Sequence, residues 1–196
     1  MAWFTGWQKA LIGAAAVLAL SACQPNSLSF QGTDVTGATL GQDLSLTDHN
    51  GQARHLEDFK GKVPVVFFGF AQCPDVCPTT LAELVQVKEA LGERAKDLQV
   101  VFVTVDPERD TPAVLKQYVT QFDPSFLALT GSPEEVSRVA QSFRVFYAKV
   151  PNQDGSSYTM DHSAGLYIFD KTGNIRVFAR HNAGAEALAH DIGQLL

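Results

Sequence analysis

Apolar and polar residues divide the chain into segments of distinct period. Leu44-Ser-Leu-Thr47 alternates, Asp48-His-Asn-Gly51 supplies a turn ending in Asn-Gly, and Gln52 to Leu56 follows; together they predict an N-terminal hairpin. Val63-Pro-Val-Val-Phe-Phe-Gly-Phe70 is apolar almost throughout, as expected of a strand covered on both faces. Leu81, Leu84, Val85, Val87 and Leu91 then recur at helical spacing as far as Gly92. Gln99 to Val105 reads as a second buried strand, and Asp106-Pro-Glu-Arg-Asp110 as a loop. Thr111 with Pro112 opens a helix to about Phe122. Phe126 to Leu129 is strand-like, and Ser132-Pro-Glu-Glu135 is a capping box for a helix to about Ser142. Val145 to Val150 reads as a strand, and Asn152 to Ser157 as a polar, turn-rich insertion. Gly165 to Asp170 and Ile175 to Ala179 form a second hairpin, and Gly184 to Leu196 closes the chain as a helix.

Strands that alternate with helices, followed by an antiparallel hairpin, predict an α/β fold: a three-layer α/β/α sandwich. The element order is that of a thioredoxin-like domain with an N-terminal hairpin and a central insertion.

The first 39 residues read differently. Ala10 to Leu20 is an unbroken apolar run of 11 residues behind a segment with one basic side chain, Lys9. The run is short of the roughly 20 residues a membrane span needs and suits a secretory signal. It ends in Leu20-Ser-Ala-Cys23, which resembles a bacterial lipobox. Residues 1–22 are therefore expected to be a lipoprotein signal peptide, and Cys23 the lipidated residue. Residues 23–39, rich in Gln, Ser, Thr, Gly, Asn and Pro, read as a flexible membrane tether, and 40–196 as the folded domain.

Composition narrows the function. The net charge is −6, with no Lys/Arg cluster, which excludes a phosphate-tracking nucleic-acid surface. With 45% apolar and 18% charged residues the chain is not a disordered one. Of three cysteines, assigning Cys23 to lipid leaves one pair, Cys73 and Cys77, in a compartment that permits disulfides.

That pair lies where the buried strand gives way to a helix, the end of a strand at which α/β sheets bind ligands. Pro78 at the first helical position would put Cys77 near the N-cap, where a thiolate is stabilised by free N–H groups; Thr80 with Glu83 is a competing start. Three intervening residues suit a disulfide, a metal ion held between two sulfurs, or two small apolar core residues. The loop Met160-Asp-His-Ser163 precedes the last hairpin and faces that junction, so His162 is placed to approach the sulfurs; a lone histidine would otherwise read as surface. Two thiolates and one imidazole favour Cu(I) or zinc, and a structural zinc site lacks a fourth ligand here. His49, His55, His181 and His190 read as surface residues. Asp106 to Pro112 reads equally as a docking or supporting loop and as a rigid turn with a helix cap.

Phe68-Gly-Phe-Ala-Gln-Cys-Pro-Asp-Val-Cys-Pro-Thr-Thr-Leu81, Val105-Asp-Pro-Glu-Arg-Asp-Thr-Pro112 and Met160-Asp-His-Ser-Ala-Gly165 resemble the Sco/SenC family. The resemblance runs from about Thr39 to the C-terminus. It implies a membrane-anchored, thioredoxin-like copper protein on the outer, extracytoplasmic or periplasmic side, binding Cu(I), Cu(II) or both. By position, the family's copper ligands fall on Cys73, Cys77 and His162. The implied task is copper delivery to the dinuclear CuA site of cytochrome c oxidase subunit II. The alternative is a thiol–disulfide oxidoreductase whose redox pair is Cys73 and Cys77, served by a thioredoxin-like reductant. Against that alternative stand the three-residue spacing and Gln72 in place of a tryptophan. A peroxidase of the same superfold is disfavoured because Asp75, not a cation, lies nearest the thiols in sequence.

Overall fold

The structure, a computed structural model, describes residues 28–196. Residues 1–27, with the expected signal peptide and Cys23, lie outside the described residues. Among the described residues the strands and α-helices follow in this order: β1 (Thr33–Asp34), β2 (Ser45–Asp48), β3 (Ala53–His55), β4 (Val63–Gly69), α1 (Val76–Leu91), β5 (Leu98–Thr104), α2 (Pro112–Thr120), β6 (Leu127–Thr130), α3 (Pro133–Ser142), β7 (Tyr147–Pro151), β8 (Tyr158–His162), β9 (Gly165–Phe169), β10 (Ile175–Arg180) and α4 (Ala185–Leu195).

One eight-stranded sheet runs β1-β10-β9-β4-β5-β6-β2-β3. β4, β5 and β6 are parallel, from Val63↔Leu98 to Gly69↔Thr104 and from Val101↔Leu127 to Val103↔Leu129. The other pairs are antiparallel. Because side chains alternate along a strand, β4 sends Val63, Val65 and Phe67 to one face and Val66 and Phe68 to the other. The first face packs on Leu81, Leu84 and Val87 of α1, Leu115 of α2 and Leu188 of α4. The second packs on Val136, Val139 and Ala140 of α3 and on Phe143 just beyond it. This is the three-layer, thioredoxin-like α/β/α sandwich. The expected N-terminal hairpin is present and extends the sheet beyond β6. Among the described residues, no helix is long and apolar enough to cross a membrane.

Local chemistry explains several boundaries. Thr111 accepts from the Val114 N–H at 3.3 Å with Pro112 first in α2, and Ser132 and Glu135 cap α3 reciprocally. Helix α1 starts earlier than its prolines imply. Val76 is its first residue and Asp75 its cap, which moves Cys77 inside the first turn and Pro78 to the third position. Proline is tolerated there because first-turn N–H groups have no partner within the helix. Glu83 is not the partner of a Thr80 cap; its Oε1 accepts from the Gly184 N–H at 2.7 Å and pins the start of α4.

Two segments depart from expectation. The stretch Met160 to His162 is not loop: it is the end of β8, which pairs only with β7, from Tyr147↔His162 to Pro151↔Tyr158. The central insertion is thus a two-stranded hairpin separate from the main sheet. Part of the stretch read as tether is also bonded to the domain. The Ser29 N–H donates to Gln194 Oε1 at 3.0 Å, and the Gln31 and Gly32 N–H groups donate to the two oxygens of buried Asp191, each at 2.8 Å. Thr33 and Asp34 then pair with β10.

Candidate metal centre

β4 ends at Gly69, whose carbonyl accepts from the Val105 N–H at 2.8 Å. The chain turns through Phe70 to Asp75, with the Cys73 N–H donating to the Phe70 carbonyl at 3.1 Å, and enters α1. This turn leaves Cys73 half-buried at the rim, whereas Cys77 is fully buried in the core. Gly69 makes room for the second sulfur. A Cβ at residue 69 would lie 2.6 Å from Cys77 Sγ and 2.9 Å from the Phe102 ring. A glycine inside an otherwise apolar strand is the sequence signal for such close approach.

The first-turn N–H of Cys77 points at Cys73 Sγ at 3.4 Å, so the helix N-terminus faces the exposed sulfur, not its own. His162 arrives from the end of β8. Its Nδ1 lies 3.1 Å from the Ser163 carbonyl, which can only accept, so Nδ1 carries the proton and Nε2 is presented to the sulfurs. Nε2 is 3.7 Å from Cys77 Sγ. The imidazole is walled by Phe67 and Phe70, edge-on at centroid distances of 6.4 and 5.9 Å. The two sulfurs and the imidazole nitrogen all lie within 4.8 Å of one another.

The two thiols are electrostatically unlike. The Cys77 thiol beside Cys73 pulls the Cys73 pKa down to about 4, helped more weakly by the His162 ring and the N–H groups of Asp75 and Cys77, against the effect of burial. Cys77 is pushed up, first by its bond to Cys73 and then by burial. One thiolate is therefore ready at neutral pH and one proton must leave before both sulfurs can ligate. Two sulfurs and one nitrogen form a soft donor set, and among the described residues no fourth His, Cys, Asp or Glu joins them. Such a set fits a low-coordinate soft cation better than a closed structural zinc site.

The loop Asp106 to Asp110 lies against this site. Asp110 is buried; its Oδ2 accepts from the Ala71 N–H at 3.0 Å and from the Thr104 hydroxyl at 2.6 Å. It therefore ties the cysteine loop to β5. Burial pushes the Asp110 carboxyl above the usual range. Neither Gly69 nor the bonding of Asp110 follows from motif spacing. His49, read as surface, is half-buried, and its Nδ1 accepts from the Ala128 N–H at 3.1 Å.

Comparison with known proteins agrees with this arrangement. The SCO1/SenC family model matches residues 33–196. An SCO2-like protein of Rickettsia felis is 41% identical over 135 residues, covering 68% of this chain and 66% of the relative, just under two thirds of its length. The mitochondrial SCO2 homolog of Bos taurus is 38% identical over 190 residues, covering 93% of this chain and 71% of the relative. Among solved structures, copper-bound ScoI of Bradyrhizobium japonicum superposes with a TM-score of 0.71 at 39% identity, covering 86% of this chain and 100% of that one. Copper-bound yeast Sco1 gives a TM-score of 0.70 at 32% identity, covering 85% and 88%. With that match across the whole folded domain, and two sulfurs and an imidazole gathered at the end of its central strand, the chain belongs to the SCO1/SenC family.

Proposed function

We propose that the protein is a membrane-tethered, extracytoplasmic copper chaperone that carries copper on Cys73, Cys77 and His162. Its acceptor would be the CuA site of cytochrome c oxidase subunit II. The single observation that carries the reading is the convergence, within 4.8 Å, of two sulfurs from one loop-and-helix junction and a nitrogen from a separate hairpin. The copper-bound relatives support it.

The geometry suits loading and release. Cys73, half-exposed and already thiolate, takes the ion first; Cys77 then ligates and its proton passes to solvent. His162 Nε2 completes the set. Because only three protein donors hold the ion, an acceptor thiolate can enter on the Cys73 side and displace them one at a time. Copper thus moves by ligand exchange without becoming free. Loss of the Cys77 proton makes binding weaken as pH falls. A lipid on Cys23 would keep the domain near a membrane-bound acceptor. Palmitate labelling lost in Cys23→Ser would support that anchor, and labelling retained would refute it.

The test is Cu(I) loading of the reduced full chain with metal counting. One ion per chain is expected, with Cys73→Ala and Cys77→Ala abolishing tight binding and His162→Ala weakening it. A His162→Ala chain with unchanged affinity and unchanged Cu(II) spectrum refutes the ligand set.

A second reading rests on the exposed Cys73 thiolate beside the buried Cys77 thiol. Cys73 would attack a partner disulfide and expel one partner sulfur. Cys77 would attack the mixed disulfide, release the second sulfur and surrender its proton to it. The partner is reduced, the pair is oxidised to a disulfide, and a thioredoxin-like reductant must reset it. Disulfide turnover that survives His162→Ala would favour this reading.

A further inference from the structure

We propose that Arg109 is a positioning residue of the metal centre, latching the hairpin that carries His162 to the loop that carries Cys73. This inference rests on the copper reading above and deepens it. The β7–β8 hairpin makes no ladder with the main sheet, so beyond the short covalent link through Ser163 and Ala164 to β9 it is side chains that fix where His162 sits. Met160, buried against the second core face, is one attachment. Arg109 supplies another.

Its guanidinium bonds in three directions. Nε donates to Asp106 Oδ2, and Nη1 donates to the Tyr158 carbonyl at 2.8 Å and to Gln72 Oε1 at 3.2 Å. Tyr158 opens the strand that ends in His162, and Gln72 directly precedes Cys73. One side chain therefore spans both ligand-bearing segments. The guanidinium carbon also lies 3.8 Å from the Tyr158 ring centroid, and the Tyr158 hydroxyl donates to Asp106 Oδ1 at 2.9 Å. The same group is 5.9 Å from the Phe70 ring, which meets the His162 ring edge-on. An exposed Lys149–Glu108 pair at 2.6 Å adds a weaker tie between hairpin and loop.

Arginine suits this place better than lysine. A planar fork can bond a carboxylate, a carbonyl and an amide oxygen while stacking on a ring, and an ammonium cannot. Asp106 is buried and needs the opposite charge beside it. β8 is five residues long, so at about 3.3 Å per residue the latch holds one end of a short stiff rod whose other end is the ligand.

The experiment compares the full chain with Arg109→Lys in two readouts. In the metal-free chain, amide hydrogen exchange across residues 158–162 is expected to accelerate while β4 and β5 stay unchanged; unchanged exchange there overturns the latch. Cu(I) affinity, measured by competition with bicinchoninate, is expected to fall about tenfold, in the range seen when supports of metal ligands are removed. In the His162→Ala background the same substitution is expected to change affinity no further, because the latch acts through the histidine. Equal weakening in both backgrounds overturns the proposal and leaves the copper reading intact. If His162→Ala alone keeps full affinity, the ligand reading fails, and the exchange readout still judges the latch. Should Arg109→Lys fail to fold, Tyr158→Leu keeps the Arg109–Asp106 pair and removes the stacked ring and hydroxyl. A smaller change in the same direction is expected from it in both readouts, because the bond from Arg109 to the residue-158 carbonyl remains, and wild-type behaviour in both overturns the proposal.

Discussion

Gly69→Ala tests how the second sulfur is seated. The backbone at residue 69 is not in the left-handed region, so strain is not the issue; space is. The new Cβ would meet Cys77 Sγ at 2.6 Å and the Phe102 ring at 2.9 and 3.2 Å. Both neighbours are fully buried. Overpacking of this kind costs about 1–3 kcal/mol. In a domain of this size that is a fall in Tm of about 2–12 °C. Which neighbour yields decides where the cost appears. If Phe102 shifts, its contacts with Phe67 and Tyr118 loosen and the loss is in Tm. If Cys77 rotates instead, its sulfur leaves the 4.8 Å cluster and the loss is in Cu(I) affinity. Thermal melting and chelator competition on the same sample separate the two. Adding Cys77→Ala to Gly69→Ala removes one of the clashing atoms, so it should recover part of the Tm. A Gly69→Ala chain with wild-type Tm and wild-type affinity would refute the close approach of strand and sulfur.

Three further outcomes are expected. Iodoacetamide should modify Cys73 before Cys77 in the reduced chain. Because the Cys73 pKa is lowered to about 4, its rate should change little between pH 9 and pH 6, where an ordinary thiol near 8.5 loses about a hundredfold or more; a rate that falls like that of a free thiol contradicts the assignment. The same depression means the Cys73 contribution to stability is full above the unfolded value of 9.0 and is lost as pH falls toward 4, with Cys77 acting in the opposite sense. Asp110→Ala should destabilise by about 2–3 kcal/mol in urea melts, since it strips acceptors from the Ala71 N–H and the Thr104 hydroxyl. Asp110→Asn keeps an acceptor and should be far milder. It should also remove a loss of stability that sets in as pH rises from 3.8 through the raised folded pKa of Asp110; an unchanged pH profile in Asp110→Asn counts against that burial cost. Asp191→Ala should speed amide exchange at Gln31 and Gly32 about ten- to hundredfold while β4 is unaffected, and unchanged exchange would show that Asp191 does not hold that segment.

The layers of the fold and the cysteine pair are legible in the sequence because each is written in local terms, whereas His162 joins the pair only through its place in the fold and the family resemblance. Val63 to Phe68 and Val100 to Val103 are buried on both faces, and that burial appears as unbroken apolar runs. Thr111 and Ser132 cap helices through bonds that span three residues. Cys73 and Cys77 stand out by spacing and flanking prolines. β8 is not legible in this way. Only Met160 of its five residues is buried, so it carries almost no periodic signal.

The Asp106 to Asp110 loop marks where such reading stops, and why. Its Asp, Pro and Thr residues satisfy the rules for a tight turn and a helix cap, so spacing alone leaves its role undivided. What decides the matter is where its side chains find partners. Asp110 reaches a backbone N–H 39 residues away, and Arg109 reaches Gln72 and Tyr158 at separations of 37 and 49. Contacts of that range leave no trace in a local pattern. They arise only once β4 and β5 lie side by side and the hairpin has folded back over their ends. The candidate donors can therefore be named from the chain, but the side chains that bridge the two segments carrying them become visible only in the folded domain. Substituting Arg109 tests that division directly, because it alters neither a sulfur nor the imidazole and yet should change how firmly the imidazole is held.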